Sequence, residues 1–401
     1  MPWFIWLSPV VALLLLWASL RLRRKQRLLA DMPTSKTAGV FIGMSELKGT
    51  AECESPCTSF LAGAPCVCAS GWTTVDSGGE LIDFYVKDDT GAVLVRPEGA
   101  KIEPLSLFSQ TASRGDPLYY GKGPAMTVAN SDHVRSFVEH GIPLHTPLYV
   151  VGRARERDDI VAAEIAADKE AEMFLISTRS EEKVQRGYAA WPWVCFVLGL
   201  IALAAGPVIL DNMNHAPPSP VRYAGVAACY LALFALGWVW MVYNSLIALR
   251  ERTRQGWSLV DVQLKRRRDL IPGIAAACEG LAAHEHEVQT ALAAMRSQQQ
   301  ATAPGEAGPD FEGLTGRLRV VIERYPSLMA NDGFQKLHDT LVETEQRIAL
   351  ARAYYNDIAT EFATRLEIIP DRFIGALAGM KPMALLQAEN FERAAVPVKF
   401  A

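Results

Sequence analysis

Four cysteines near the start of the chain are the first residues whose type could do chemistry, because thiolates bind zinc. Cys53, Cys57, Cys66 and Cys68 are spaced as Cys-x3-Cys and Cys-x-Cys. Zinc ribbons instead use two Cys-x2-Cys pairs to bring four thiolates to one ion. Two interpretations stay open, a metal site formed by these residues or thiols buried along strands, and the spacing favours the second. We therefore predict no cofactor.

A single Asp-Thr-Gly sequence, Asp89–Gly91, matches the catalytic loop of aspartic proteases. That chemistry needs two carboxylates that share one proton, so a second copy must come from another lobe or another subunit. The sequence contains one copy. The same residues also provide the backbone freedom of a tight hairpin turn, and this is the interpretation we adopt.

The run His284-Glu285-His286-Glu287 has the composition of a zinc-protease motif but not its spacing. Zinc proteases place two histidines four residues apart, so that both face one ion. Here the histidines are two apart, about 200° around a helix, and point away from each other. No other set of residues provides a nucleophile with its base or a phosphate loop. The sequence thus predicts no catalytic residue and a protein that is not an enzyme.

The basic run Lys265–Arg268 allows three interpretations: a nucleic-acid contact, a lipid contact or one face of a helix. The net charge of −4 disfavours nucleic acid. Lys265 lies about 33 Å beyond Tyr243 along a straight helix, which is too far for screened attraction to headgroups. We therefore expect a solvated face whose cations pair with Asp261, Asp269 or acidic residues on partner helices.

Three apolar segments are each long enough to cross a hydrocarbon core: Trp3–Leu20, Trp191–Leu210 and Tyr223–Tyr243. The first has cations after it rather than before it, which predicts an uncleaved anchor and not a signal peptide. Cations also follow the third segment, whereas the loop between the second and third segments contains a single cation, Arg222. The positive-inside rule then places both soluble regions in the cytoplasm of a multi-pass protein, which we expect in a bacterial inner membrane.

The predicted fold class is a multidomain membrane protein with three transmembrane helices, a small β-rich (α+β) cytoplasmic domain and an all-α antiparallel helical bundle. The predicted parts are an anchor (1–20), a basic linker (21–38), the β-rich domain (39–178), the second span (191–210), an external loop (211–222), the third span (223–243) and the bundle (244–401).

Alternating apolar residues predict strands in the β-rich domain. Phe84 and Val86 precede the Asp-Thr-Gly turn and Val93 and Val95 follow it, which is the pattern of a hairpin. A further strand is expected in PLYVVGRA, residues 147–154, and a helix near HVRSFVEH, residues 133–140. Residues 101–130 show little periodicity and predict a long loop.

The bundle is predicted from helical spacing. The third span continues without a break to Pro272, with one apolar face formed by Trp257, Val260, Leu264, Ile271 and Ile274. A last helix is expected from Asn331-Asp332 to Ile369. Its seam, with residues three and four apart, comprises Phe334, Leu337, Leu341, Thr344, Ile348, Ala351, Tyr355, Ile358, Phe362, Arg365 and Ile369. The residues expected on its solvated face are Glu343, Glu345, Arg347 and Arg352.

Two segments of the predicted β-rich domain, FYVKDDTGAVLVRPEGA (84–100) and FVEHGIPLHTPLYVVGRA (137–154), resemble the GIDE domain of mitochondrial-type E3 ubiquitin ligases. In those ligases, transfer belongs to a separate RING domain whose cysteines and histidines hold zinc. This sequence contains no cysteine after Cys278. The resemblance therefore implies a fold, and ligase-like activity stays an alternative.

The stretch YNSLIALRERTRQGWSLVDVQLKRRRDLIPGI (243–274) resembles the signature of the LemA family, with further similarity at 283–288, 323–332 and 343–370. Gly256 and Gly273 depart from the Ala and Asn that are usual there. The resemblance implies a membrane span followed by a cytoplasmic helical bundle. It also implies a non-catalytic scaffold or interaction protein, in envelope stress or membrane proteolysis.

The expected partners are the lipid bilayer and unidentified proteins, among them a membrane protease, and no nucleic acid. Membrane organisation and a structural homo-oligomer are further alternatives. Self-association would use small residues of the second span, Gly199, Ala202 and Gly206.

Overall fold

A computed structural model describes residues 4–73, 77–113, 116, 118, 134–157, 162–169, 171–215, 217–282 and 332–386. The chain divides into two compact units, Met1–Ala235 and Leu236–Ala401.

The first unit contains two long helices and the strands between them. Helix α1 is Phe4–Ala30, a 3-10 turn is Thr37–Gly39, and helix α2 is Glu181–Met213. The strands of the described residues are β1 (Thr34–Ser35), β2 (Gly43–Glu52), β3 (Cys57–Thr58), β4 (Pro65–Thr73), β5 (Ser77–Leu81), β6 (Phe84–Lys87), β7 (Ala92–Val95), β8 (Lys101–Glu103), β9 (Leu105–Ser113), β10 (Val134–Pro143), β11 (Pro147–Glu156), β12 (Ala163–Ala166) and β13 (Leu175–Ser177).

Five of these strands close into a barrel. Strand β2 pairs with β6, β6 with β7, β7 with β12, β12 with β11, and β11 returns to β2. All pairs are antiparallel except β7 with β12, which is parallel. Closure removes the unpaired edges that an open sheet of this size would expose.

Strand β11 shows how the barrel is covered on both faces. Leu148 and Val150 belong to a core that also contains Phe84 from β6. Tyr149 and Val151 alternate with them and pack beneath the end of α1 and the start of α2. The predicted strand in PLYVVGRA and the hairpin of β6 and β7 are therefore confirmed.

Strands β1, β13 and β8 extend the barrel sheet, and the other five strands form a second sheet in the order β3-β4-β10-β9, with β5 also paired to β4. Its strand β10 replaces the helix predicted for residues 133–140, and that prediction was wrong. The buried positions of β10 alternate correctly for a strand, but two of them are the charged residues Arg135 and Glu139. Because charged residues occupy two of the buried positions, the alternation of apolar and polar residues that predicts a strand is not visible in this sequence.

The loop predicted for residues 101–130 was also wrong in its first part, which forms β8 and β9. Strand β9 is mostly exposed and has one fully buried side chain, Ala112. It is held by its antiparallel pairing with β10. An exposed edge strand needs no apolar alternation, so the sequence carried no signal for it. Most of residues 114–130 lie outside the described residues.

Glu139 anchors the loop that precedes β4 to strand β10. Its carboxylate accepts hydrogen bonds from the Ser59 hydroxyl and from the backbone N–H groups of Phe60, Leu61 and Ala62, at 2.7–3.0 Å. Burial opposes ionisation, but these bonds outweigh it and lower the pKa of Glu139.

Two helices are long and apolar enough to cross a membrane, α2 and the first part of helix α3 (Pro220–Ala282). Helix α1 contains the first predicted span and continues to Ala30, so the first residues of the predicted basic linker are helical. The three helices pack together through Ala12 and Leu16 of α1, Phe196 of α2 and Tyr230 of α3.

The second unit contains the rest of α3, helix α4 (Asp332–Glu367) and the short helix α5 (Asp371–Leu377). Helix α3 passes through Pro272 without ending, and α4 covers nearly the whole of the predicted last helix. Gly273 lies beside Leu337, Trp257 beside Tyr355, and Leu249 beside Phe362. The two helices are therefore antiparallel.

We predict that E139Q destabilises the β-rich region by about 2–3 kcal/mol at pH 7, because a glutamine amide cannot accept four bonds. The lowered pKa adds a pH dependence. Glu139 contributes its full stabilisation above pH 4.5, the ordinary pKa of a glutamate, and this stabilisation is lost as the pH falls through its lowered pKa in the folded state. The free energy of unfolding of E139Q should therefore fall less steeply at acidic pH.

Urea unfolding of the full chain in detergent, followed by hydrogen exchange of the β10 peptide, measures both effects. E156Q is the matched control, because Glu156 is exposed at the end of β11. Equal exchange in the two variants at pH 7 would contradict the role assigned to Glu139.

Candidate functional site

The Asp-Thr-Gly segment forms the hairpin turn between β6 and β7. Asp88 accepts hydrogen bonds from the backbone and hydroxyl groups of Thr37 and Thr90 and from the Gly91 N–H. Burial opposes its ionisation, but these bonds lower the pKa of Asp88 to about 2. Asp89 is exposed and pairs with Lys36 at 2.5 Å. Both carboxylates thus bind their own chain, which is the arrangement of a turn and not of a shared-proton dyad.

The four candidate cysteines lie at the junction of the two sheets. Cys57 and Cys66 are opposite each other on β3 and β4, and Cys68 follows in the barrel core. The Cys57 thiol donates to the Cys66 carbonyl at 3.1 Å, and the Cys53 thiol donates to the Asp83 carbonyl at 3.6 Å. Within the described parts of the chain, no group of three or more His, Cys, Asp or Glu residues is arranged to hold a metal.

Burial controls the protonation of these thiols. It raises the pKa of Cys57, and it raises the pKa values of Cys66 and Cys68 to about 11. A metal ligand or a nucleophile must be a thiolate, which is favoured by nearby cations and not by apolar burial. The geometry therefore corresponds to the second interpretation of these residues, buried thiols along strands.

A pocket of about 470 Å³ opens beside Cys68. Ser70, Glu103, His140 and Arg179 also line it. Ser70 and His140 are direct neighbours across β4 and β10, a pair whose types could provide a nucleophile and a base. Glu103 accepts hydrogen bonds from Lys101 and Ser177. The pocket is a concave surface with mixed charge and no assembled triad among the described residues.

A second polar cluster connects the barrel to the first turn of α2. Glu46 is fully buried and accepts hydrogen bonds from Thr34 and Tyr149, both at 2.7 Å. Burial raises the pKa of Glu46 despite these bonds. Lys48 lies 3.8 Å from Glu46 and 2.6 Å from Glu181. Sequence analysis missed this cluster because its members are far apart in the chain and share no motif.

The basic run of α3 contains one residue that the sequence analysis placed wrongly. Arg267 is buried against α4, with its Nη1 atom 3.4 Å from Oε1 of Glu345, and the two side chains are 3% and 9% exposed. Glu345 was likewise predicted on the solvated face and is buried. Lys265, Arg266 and Arg268 are exposed as expected. The expected pairing with an acidic residue of a partner helix is thus present, but inside the helix interface.

The true seam of α3 explains this error. Its buried residues follow each other at alternating spacings of four and three: Val242, Leu246, Leu249, Thr253, Gly256, Val260, Gln263 and Arg267. The predicted apolar face is confirmed at Val260 and Leu264, which are buried, and Trp257 is half-buried. Polar or small residues occupy half of the seam positions, so the apolar pattern did not reveal that Thr253, Gln263 and Arg267 are buried. The signal was present in the spacing and hidden by side-chain polarity.

The seam predicted for α4 is confirmed at its centre. Leu341, Thr344, Ile348, Ala351, Tyr355, Ile358 and Phe362 are all buried. Ile369, at the predicted end of the helix, is instead exposed beyond Glu367. Arg267 and Glu345 lie between apolar layers of this seam, where an ion pair penalises any sliding of one helix along the other.

Gly256 sits where α3 and α4 approach closely. A methyl group there would lie 3.5 Å from the Tyr355 Cα atom, which is ordinary van der Waals contact. Alanine would therefore fit, and glycine is not required by the packing. By contrast, Gly199 of α2 faces the Tyr230 hydroxyl, where a methyl group would lie 2.2 Å away. Gly199 is thus used for packing within the chain.

Two sequence features lie outside the described residues. These are the run His284–Glu287 and the segment 323–331 that contributed to the family resemblance.

The fold defines a class of protein in which a β-barrel domain is attached to membrane-length helices and one of those helices continues into an antiparallel helical interface. The comparisons give this class its relatives. Residues 256–400 match the model of the LemA family, and residues 67–210 match the GIDE model, which carries the description E3 ubiquitin ligase. The chain therefore contains a LemA-family region and a GIDE region, as the resemblances implied.

Individual relatives are distant. Magnetosome protein MamQ 2 of Paramagnetospirillum magneticum is 23% identical over 217 residues, covering 46% of this chain and 77% of that protein. Protein LemA of Metamycoplasma hominis is 23% identical over 194 residues, covering 45% and 88%. Magnetosome protein MamQ of Magnetospirillum gryphiswaldense is 21% identical over 173 residues, covering 35% and 63%.

We predict that Cys66 and Cys68 react with iodoacetamide about 100-fold more slowly than ordinary thiols at pH 8, because raised pKa values leave few thiolates. Mass spectrometry of alkylated peptides measures the rates, and the urea-unfolded chain is the control. A chelator should leave the native rates unchanged. Stoichiometric zinc, or faster alkylation after chelation, would instead establish the metal interpretation.

We predict that R267M weakens the α3–α4 interface by about 3–5 kcal/mol, because Glu345 stays buried beside an apolar side chain. The double variant R267M/E345M should recover most of this loss. G256A is a matched control in the same seam and should stabilise the helix by about 1 kcal/mol. Hydrogen exchange of α4 peptides in the full chain measures these variants and the single variant E345M, and additive effects of R267M and E345M would refute the coupling.

Proposed function

We propose that the protein is a membrane-anchored, non-catalytic scaffold or interaction protein of the LemA type. The observation that carries this proposal is the unbroken helix α3, which passes from a membrane-length apolar segment into the buried seam with α4. A rigid helix fixes the bundle at the membrane surface, because no flexible linker intervenes. Such an arrangement suits a protein that positions partners rather than one that transforms a substrate.

We further propose three spans, with α1 as the first. Helix α1 packs against α2 and α3, and its outer side exposes Leu7, Val10, Leu13, Leu14 and Trp17. Helices α2 and α3 also expose large apolar side chains along their lengths. Contiguous apolar surface of this extent is unfavourable in water and is matched by lipid.

The charges of the helix ends support a cytoplasmic location for both soluble regions. Arg23, beyond the span of α1, stacks on the ring of Trp193 at 4.1 Å, where aromatic rings favour the membrane interface. At the other ends of the spans, the cation Arg222 is paired with Asp211. That loop therefore has no excess positive charge, whereas Arg250–Arg254 follow the third span. This asymmetry is expected for a bacterial inner-membrane protein.

The contacts of the reactive residue types support a non-catalytic role. Burial raises the pKa values of the Cys57, Cys66 and Cys68 thiols. The buried carboxylates Glu46, Glu139, Glu164 and Glu345 each bind a partner within the chain. The relatives are LemA and magnetosome proteins, while the GIDE model carries the description of a ligase. Ligase-like activity remains the alternative, and it would need a partner to provide the zinc domain.

We propose that partners contact the exposed side of the basic run. This surface is formed by Lys265, Arg266 and Arg268. They project from α3 while Arg267 is buried beneath them. A membrane protease or an envelope-stress regulator with an acidic surface would fit, and nucleic acid would not, because the chain has a net charge of −4. The magnetosome relatives also make membrane organisation a possible context for such a scaffold.

We predict that in-cell crosslinking and affinity purification of the full chain recover a discrete membrane protein, and that K265E/R266E/R268E reduces this recovery by about tenfold, since charge reversal removes complementary attraction. The matched control exchanges the Glu343–Arg347 ion pair of α4, which is 2.8 Å long, as E343R/R347E. This exchange leaves the net charge unchanged and should preserve recovery.

The outcomes separate the candidate functions. If only homo-oligomers of the chain are recovered, the scaffold proposal is wrong and the structural homo-oligomer is favoured. Recovery of a ubiquitin-like conjugation partner, with transfer to a substrate, would favour the ligase alternative.

A further inference from the structure

Helix α5 and the turn before it have an exposed apolar side that no described part of the chain covers. Phe373 is 65% exposed and Leu377 is 92% exposed. Ile368 and Ile369, just before the helix, are also exposed. These side chains are among the larger exposed apolar groups of the second unit, and they lie within ten residues of one another in the sequence. Isolated apolar residues are common at protein surfaces, but a cluster of this kind marks a contact.

The opposite side of α5 is firmly packed. Ile374 contacts the cluster formed by Met241, Val242 and Leu246 of α3. Gly375 approaches Leu366 so closely that a methyl group at this position would lie 2.6 Å from its side chain. The seven-residue helix is therefore held in one orientation, and its exposed side is presented by the fold rather than by chance fraying.

The packing of α5 also determines its position along the axis of α3. The α3 residues in the cluster that Ile374 contacts are Met241, Val242 and Leu246, and Trp238 packs against the same cluster. Trp240 and Tyr243, in the same stretch, are exposed, and rings of this kind concentrate where hydrocarbon meets headgroups. Helix α5 thus lies beside the last turns of the apolar span.

The charged residues around α5 agree with a position beside the end of the apolar span. Arg372 and Lys381 are exposed on either side of Phe373 and Leu377. Arg254, which follows the third span on α3, is exposed as well. Cations that flank an apolar side are typical of helices that lie in the plane of an anionic membrane surface.

We propose that residues 368–377 form an interfacial foot, in which Phe373 and Leu377 insert into the cytoplasmic leaflet beside α3. The occupant of this surface is lipid, because α5 packs beside the end of the third span, where Trp240 and Tyr243 are exposed. The inference rests on the proposed membrane insertion of α3 and extends it to a segment that does not cross the bilayer.

The foot would give α4 a second attachment to the membrane. Helix α4 ends at Glu367, directly before the foot, so its last turn is tied both to α3 and to the leaflet. Insertion at this end stabilises the orientation of the bundle, because rotation about α3 would pull apolar side chains out of lipid.

The test reconstitutes the full chain in vesicles of phosphatidylethanolamine and phosphatidylglycerol that contain a phospholipid with a photoreactive diazirine near the glycerol end of one acyl chain. After illumination, mass spectrometry locates the lipid adducts. The matched control is Val262, a large apolar residue of α3 that is 54% exposed and lies about 28 Å beyond Tyr243.

We expect adducts on residues 223–243 and on 368–377, with a yield in the foot about tenfold above that of the Val262 peptide. F373S/L377S should remove the adducts from the foot and leave those of residues 223–243. Both replaced side chains are exposed, so hydrogen exchange of α4 should be unchanged in detergent.

Failure of the foot and failure of membrane anchoring give different results. Adducts on 223–243 with none on 368–377 would overturn the foot and preserve the anchor. Adducts nowhere in the chain would overturn both.

Discussion

Helix α3 must satisfy two different solvents with one continuous backbone, and the rest of the structure depends on this. It is 63 residues long. In hydrocarbon, a backbone must form all of its hydrogen bonds within the segment, so the apolar part has to be helical. The helix does not end at the apolar boundary, so the backbone that forms the apolar segment continues into the seam with α4. The seam begins at Val242, within the last turn of the apolar segment, so the two roles overlap.

Buried polar groups set the register of both folded regions. Glu139 ties a loop to β10, Glu46 ties β1 and β11 together, and Arg267 joins α3 to α4 through Glu345. Each of these groups would be unfavourable if buried alone, because desolvation of a charge must be offset by bonds. A shift of register would separate the partners. The apolar residues provide most of the driving force, and these few polar contacts exclude neighbouring arrangements.

The attachment of the barrel to the helices gives the proposed scaffold its physical basis. The end of α1 and the start of α2 pack on the same side of β11, through Leu29, Met32 and Val184. Lys48 and Glu181 add an ion pair at the first turn of α2. The barrel is thus fixed at two points to the helices that we propose to lie in the membrane. The GIDE region is held as an immobile module, which suits presentation of a surface.

The sequence by itself determined the features that depend on local spacing: the hairpin of β6 and β7, the strand β11, the continuity of α3 and the central seam of α4. The strands have apolar alternation, α3 contains no strong helix break before Pro272, and α4 repeats apolar residues at spacings of three and four. Tertiary structure decided the rest. Strand β10 and the seam of α3 place Glu139, Gln263 and Arg267 at buried positions, and β9 is an edge strand held by its neighbour. Whether a polar side chain is buried depends on a partner distant in the chain, and hydrophobic periodicity contains no information about that partner.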